Sequence, residues 1–320
     1  MTYADELKAK IAEQRNVRES TLNAYIFNLN KLHKMMRNGE VMDSLDFLKK
    51  KEKVDSELAS KKLSTKKTYY ASIVVGLMAE EAPEALIKRY RDEMEELAKT
   101  FAKEMDEQKK SEQQDKNWTT LAKLRKVMRG YRNELNEKGI FRKEPGTLTN
   151  KEFDLLQKWI VASLYILDDN PPLRNDYIMA VIDQKAYDKM SEEEKKERNY
   201  LVVKSRNTKH FSLGEYKTAG KYGTKVIPVG KKLNSALNIW LKFNTSGHLL
   251  LNSKKQPMTA NGLTKYLNKV FEPTGKSNIS SSMIRHIFIS EKFPPQLKEK
   301  QEVADKMGHS VTQQEHYAKK

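Results

Sequence analysis

Residues 199–229, NYLVVKSRNTKHFSLGEYKTAGKYGTKVIPV, mark a change in the period of the chain. Within them, 200–203, 210–216 and 224–229 are short runs of β-branched and aromatic residues split by turn formers, which predicts strands. The turn at 220–223, with Gly220 and Gly223, reads as a hairpin. A further run at 177–182 follows the break at Asn170-Pro171-Pro172 and adds a strand. The rest of the chain shows the three-to-four spacing of amphipathic helices. The expected fold class is therefore mainly α with a small antiparallel sheet.

Working outward from the strands, 233–243, 259–271, 281–291 and 302–307 read as helices downstream. Upstream, Phe153, Leu156, Trp159, Ile160 and Leu164 share one helix face, with Thr147 or Thr149 as its cap. The segment GIFRKEPG, residues 139–146, is short, basic and broken by Pro145-Gly146, so it serves as the boundary between domains at 1–143 and 144–320. In the first of these, Ser20-Thr21 is expected to cap a helix carrying Leu22, Tyr25, Ile26, Leu29 and Leu32. Ser64 or Thr65 is expected to cap another carrying Tyr69, Ile73, Val74 and Leu77. Residues 85–116 form a long charged amphipathic stretch, and 118–135 return to regular apolar spacing.

Composition narrows the partner. The 320 residues carry a net charge of +17, which points to a polyanion, because a basic surface releases counterions on binding DNA or RNA. The alternative is a lysine-rich but merely solvated surface. Lysines recur at Lys31 and Lys34, Lys66 and Lys67, Lys123 and Lys126, and through 217–232 at Lys217 and Lys221, so several elements are expected to touch a phosphate backbone. No cysteine is present, which excludes disulfides, thiolate metal sites and a thiol nucleophile. There is no apolar run long enough for a membrane span. The start, MTYADELKAKIAEQ, is polar and helical, so no secretion signal is expected.

The chemistry concentrates near the C-terminus, in SSMIRHIFIS followed by VADKMGHSVTQQEHY. Arg285 and His286, then Gly308-His309, then Tyr317 occur in that order, and Arg174 and Lys217 precede them. With PPLRNDY and EYKTAGKYG, these segments resemble the tyrosine recombinases, and within them the integrases of large DNA viruses and their satellite elements. The resemblance spans about 147–320 by motif and 15–135 by architecture alone. It implies a helical core-binding domain followed by a tyrosine-recombinase catalytic domain. Residue by residue it makes Arg174 and Arg285 the two catalytic arginines, Lys217 the hairpin lysine, His309 the Gly-His histidine and Tyr317 the nucleophile. Ser282 and His286 are auxiliary candidates. The implied activity is site-specific DNA recombination or integration through a 3′-phosphotyrosyl intermediate, without metal or cofactor. The implied partner is double-stranded DNA with an attachment site, held by a homotetramer inside a virion, host cytoplasm or nucleus.

These residue types suit that reaction. A free phenol has a pKa of about 10, so it attacks a phosphodiester only where charge and protons are managed around it. Two arginines can fork onto the non-bridging oxygens as charge builds. A lysine can protonate the departing 5′-oxygen, and Lys221 or Lys225 on the same turn competes with Lys217 for this role. Two positions depart from the pattern. Ser282 stands where a histidine or lysine is usual, and Asp176 lies two rather than three residues after the first arginine. Two other readings remain: DNA relaxation of the type IB topoisomerase kind, or a non-catalytic DNA-binding protein on a decayed recombinase scaffold.

Overall fold

Capping and apolar spacing decide where the helices begin and which faces they bury. The computed structural model describes residues 2–106, 110–167, 171–293, 300, 302–304 and 306–307. By its internal contacts the chain divides into two compact units, Met1–Lys109 and Lys110–Lys320.

The first unit is helical: α1 (Tyr3–Gln14), α2 (Glu19–Met36), α3 (Lys51–Leu58), α4 (Leu63–Ala79) and α5 (Glu84–Asp106). Thr2 opens α1 with a reciprocal capping box to Asp5, the arrangement that satisfies two otherwise unpaired amides. Leu7, Ile11, Leu29, Leu32, Leu48, Val54, Leu58 and Ile73 fill one core, and Tyr90 closes it by donating its hydroxyl to the Leu48 carbonyl at 2.7 Å. Each such fully buried apolar side chain contributes roughly 1.5–3 kcal/mol. Two expected caps are displaced. Helices α2 and α4 begin at Glu19 and Leu63, after Arg18 and Lys62, neither of which makes a side-chain cap. Ser20-Thr21 and Ser64-Thr65 therefore lie inside the first turns.

The second unit continues with α6 (Glu112–Asn117), α7 (Leu121–Glu137), α8 (Asn150–Ile166), β1 (Ala180–Asp183), α9 (Gln184–Asp188) and α10 (Glu192–Glu197). It then runs through β2 (Asn199–Val203), β3 (Lys209–Leu213), α11 (Ala219–Tyr222), β4 (Lys225–Pro228), α12 (Lys231–Phe243), α13 (Ala260–Phe271) and α14 (Ser281–Lys292). Thr149 caps α8 through a capping box with Glu152. The division falls at Lys109/Lys110, upstream of the expected 143/144. Leu121, Leu124, Val127 and Leu135 of α7 bury into the same core as Leu156, Trp159 and Ile160 of α8, so 110–143 belong to the second unit.

The sheet is four-stranded in the order β1-β2-β3-β4 and mixed, rather than wholly antiparallel. β1 pairs parallel to β2 with Val181 opposite Leu201, because α9 and α10 carry the chain back between them. β2–β3 and β3–β4 are antiparallel. Period-two alternation covers both faces. Leu201 and Phe211 point into the main core, while Tyr200 and Val202 pack with Tyr187 of α9. A buried lysine anchors the β2–β3 turn to α12. Lys209 Nζ donates to the Arg206 carbonyl at 3.0 Å and to the side-chain oxygens of Asn234 and Asn238 at 2.9 and 2.6 Å. Burial pulls its ammonium pKa down. No helix among the described residues is long and apolar enough to cross a membrane.

Candidate active site

Arg174 sits in the loop between α8 and β1, and four elements fix that loop. Tyr165 of α8 donates its hydroxyl to the Arg174 carbonyl at 2.6 Å. Asn175 donates to the Ala260 carbonyl and Thr264 Oγ1 of α13, at 3.1 and 3.0 Å, and accepts from Ser281 Oγ at the start of α14 at 2.9 Å. Asn199, opening β2, donates to the Asp176 carbonyl at 3.2 Å. The same Asn199 accepts the Glu215 amide at 3.0 Å, so one side chain ties the Arg174 loop to the segment that delivers Lys217.

That segment starts at a glycine for a steric reason. A Cβ on Gly214 would lie 2.1 Å from the Lys195 carbonyl oxygen and 2.7 Å from Lys196 Cα, so only glycine lets the two backbones pass. β3 ends at Leu213, so Lys217 lies in the β3–β4 connection and not at the end of a strand, as the run 210–216 suggested. The expected 220–223 hairpin turn is instead the short helix α11, ending at Gly223 with a positive φ of 67°.

Arg285 comes from α14, whose Ile284 and Ile287 are buried and whose N-terminus is capped by Ser280. Arg174, Lys217 and Arg285 line one cavity of about 200 Å³, together with Asp176, Tyr216 and Lys225. Among the described lining residues, four cations thus face one carboxylate. Burial raises the Asp176 pKa above the ordinary aspartate range. Its hydrogen bond from the Arg174 amide, at 3.2 Å, and the guanidinium groups of Arg174 and Arg285 pull the other way. Such a cavity suits an anionic group with developing negative charge.

The remaining expected residues fall into three groups. Ser282 and His286 are on α14, exposed, and do not line the cavity. Lys221 is on α11 with its ammonium 5.2 Å above the Tyr222 ring, also outside the lining, whereas Lys225 contributes to it. His309 and Tyr317 lie outside the described residues. Of the expected backbone contacts, Lys31 and Lys34 are exposed on α2, and Lys31 stands 5.8 Å above the exposed Phe27 ring. Lys66 and Lys67 are half-buried on α4, with Lys67 4.8 Å from the Phe101 ring of α5. Lys123 and Lys126 are exposed on α7 and flank a groove with Tyr131 and Pro273.

No protein-family model, curated protein or solved structure matches this chain. The site therefore rests on its own geometry. Asn175 and Asn199 are the residues that motif reading missed, since neither has a chemical role of its own. Their one visible signal is position: each is a bonding side chain at the entry to a strand or turn, where backbone groups lack regular partners.

Proposed function

We propose that the chain is a DNA strand transferase of the tyrosine-recombinase kind, acting on double-stranded DNA through a 3′-phosphotyrosyl bond. The observation that carries this reading is the convergence of Arg174, Lys217 and Arg285, from three separate segments, on one small cavity with a single carboxylate among its described lining. In this reading the two guanidinium groups hold the non-bridging oxygens of the scissile phosphate and neutralise charge in the transition state. Lys217 gives its proton to the departing 5′-oxygen. Tyr317 attacks phosphorus and releases its phenolic proton to water, the bond from phosphorus to the 5′-oxygen breaks, and His309 donates to the phosphate. Rejoining is the reverse, with a 5′-hydroxyl as nucleophile and the tyrosine as leaving group. No cofactor enters this scheme. The helical unit Met1–Lys109 takes the part of a core-binding domain, and a tetramer on an attachment site is the working assembly.

A nicked suicide duplex, from which the cleaved fragment diffuses away, tests the proposal. Wild-type protein should accumulate a protease-resistant DNA adduct, and Tyr317→Phe should bind the duplex with unchanged affinity and form none. An adduct that survives in Tyr317→Phe moves the nucleophile, and Tyr216, which lines the cavity, becomes the residue to replace. Absence of any adduct with wild-type protein favours the non-catalytic DNA-binding alternative. Relaxation of supercoiled plasmid without strand exchange favours the topoisomerase one.

A further inference from the structure

Helix α7 is charged against its own dipole. From Lys116 to Asn133 the chain carries six cations, Lys116, Lys123, Arg125, Lys126, Arg129 and Arg132, and no carboxylate, while Glu134 and Glu137 fall in the last turn. A helix is stabilised by acids near its N-terminus and bases near its C-terminus, by about 0.3–1 kcal/mol each at a surface. The arrangement in α7 is the reverse. Two of its first-turn amides are already bonded, the Leu121 amide to Glu291 of α14 at 2.9 Å and the Lys123 amide to Thr120. With a carboxylate already seated on the helix end, the cations further along are the ones left to meet an outside anion.

Arg129 and Arg132, one turn apart, are exposed and line a cavity of about 290 Å³ walled by α7, α8 and α12. Lys232, in the first turn of α12, lines the same cavity, and that helix also lacks an acid in its first turn. Met128, Trp159 and Ile239 supply an apolar wall. Among the described residues no carboxylate lines the cavity, and none of its residues is shared with the cavity of Arg174. Two guanidinium forks and an ammonium match phosphate oxygens, and the apolar wall matches the face of a deoxyribose.

We propose that this cavity binds a backbone phosphate of duplex DNA away from the scissile position. The identity of the ligand rests on the DNA-processing reading above, but the readout does not depend on cleavage. Binding of the full chain to a fluorescein-labelled duplex, followed by anisotropy over a series of salt concentrations, gives the slope of log K against log salt. Arg129→Gln/Arg132→Gln should make that slope shallower by roughly 1 to 2, since each lost phosphate contact removes about 0.9. Lys185→Gln/Lys189→Gln, the same charge removed from exposed positions in α9 and at its C-cap, should leave it unchanged. Lys232→Gln, on a different helix, should lower it by roughly 1, which keeps the test valid should the arginine pair destabilise α7.

A slope in both variants equal to that of the α9 control overturns the proposal. So does a site that serves free anions instead: the α7 variant would then lose binding of inorganic phosphate with its DNA slope intact. Wild-type protein that cleaves DNA while the slopes do not separate sinks this site alone. Wild-type protein that never cleaves, with slopes separating as stated, sinks the strand-transfer chemistry and leaves this site standing. Failure of the wild type to bind duplex sinks both.

Discussion

The two units differ sharply in charge although both are rich in lysine. Met1–Lys109 carries 21 Lys and Arg against 20 Asp and Glu, whereas Lys110–Lys320 carries 39 against 23. Nearly all of the basic excess thus belongs to the unit that holds the Arg174–Lys217–Arg285 cavity. In the first unit cations are matched on site: Lys51 bridges Asp55 and Glu93, Lys10 meets Glu80, and Arg89 meets Glu52. In the second, acids also pair locally, as Glu152 does with Lys143 and Glu192 with Lys195, but they are outnumbered, and the stretch 116–133 contains no Asp or Glu of its own. Counting lysines along a chain does not reveal this; the local balance against acids does.

The largest contrast expected between the units is catalytic. Arg174→Lys or Arg285→Lys keeps the charge but loses the fork, and should slow single-turnover cleavage on the order of 100- to 1,000-fold at little cost in duplex affinity. Lys31→Gln with Lys34→Gln in the first unit should leave the cleavage rate at saturating DNA unchanged. A comparable slowing from the α2 pair would erase the division of labour between the units.

Packing supplies the next contrast. Gly214→Ala in the second unit drives a Cβ into the Lys195 carbonyl and Lys196 backbone, and should cost about 3 kcal/mol in denaturant unfolding. Gly76→Ala in the first unit meets only the ends of flexible side chains, Leu29 Cδ1 at 2.9 Å and Leu45 Cδ1 at 3.2 Å. Because alanine also favours the helix, that variant should stay within about 1 kcal/mol of wild type. Equal losses at both sites would mean that the α2–α4 packing is as unyielding as the Gly214 crossing.

A smaller effect separates the units by pH. A hydrogen bond from Lys143, with the Thr149 amide next, pushes the Glu152 carboxyl down to about 2 from an ordinary 4.5. The folded value lies below the unfolded one, so its stabilisation is complete above the unfolded pKa and is lost as pH falls through the folded one. Glu152→Gln should lower Tm at neutral pH, and its gap from wild type should close as pH approaches 2 in a thermal melt series. A gap that persists at low pH would assign the effect to packing and not to ionisation.

Much of the second unit could be read from sequence because its helices carry long, one-faced apolar patterns: α8, α12, α13 and α14 lie within a few residues of their expected limits. The sheet was legible as short runs but not in its pairing. Whether β1 joins parallel or antiparallel depends on where the chain between Asp183 and Asn199 travels, and only packing of Tyr187 against Tyr200 and Val202 decides that. The division of the compact units at Lys109/Lys110 was hidden for the same reason, since the turn-rich 139–146 says nothing about which core receives Leu124 and Val127 of α7. At the site, Arg174, Lys217 and Arg285, which line one cavity, were singled out by type and order. Asn175 and Asn199 carry only geometry, and so did not.

The most direct measurement compares cleavage of ordinary DNA with cleavage of a duplex whose scissile 5′-oxygen is replaced by sulfur, a leaving group that departs without protonation. Lys217→Ala should be slow on ordinary DNA and largely rescued on the sulfur substrate, while Arg285→Lys should be slow on both. Equal impairment of Lys217→Ala on the two substrates would contradict the role given to Lys217. Wild-type cleavage rates for Arg285→Lys would contradict the cavity as the place where the phosphate is held.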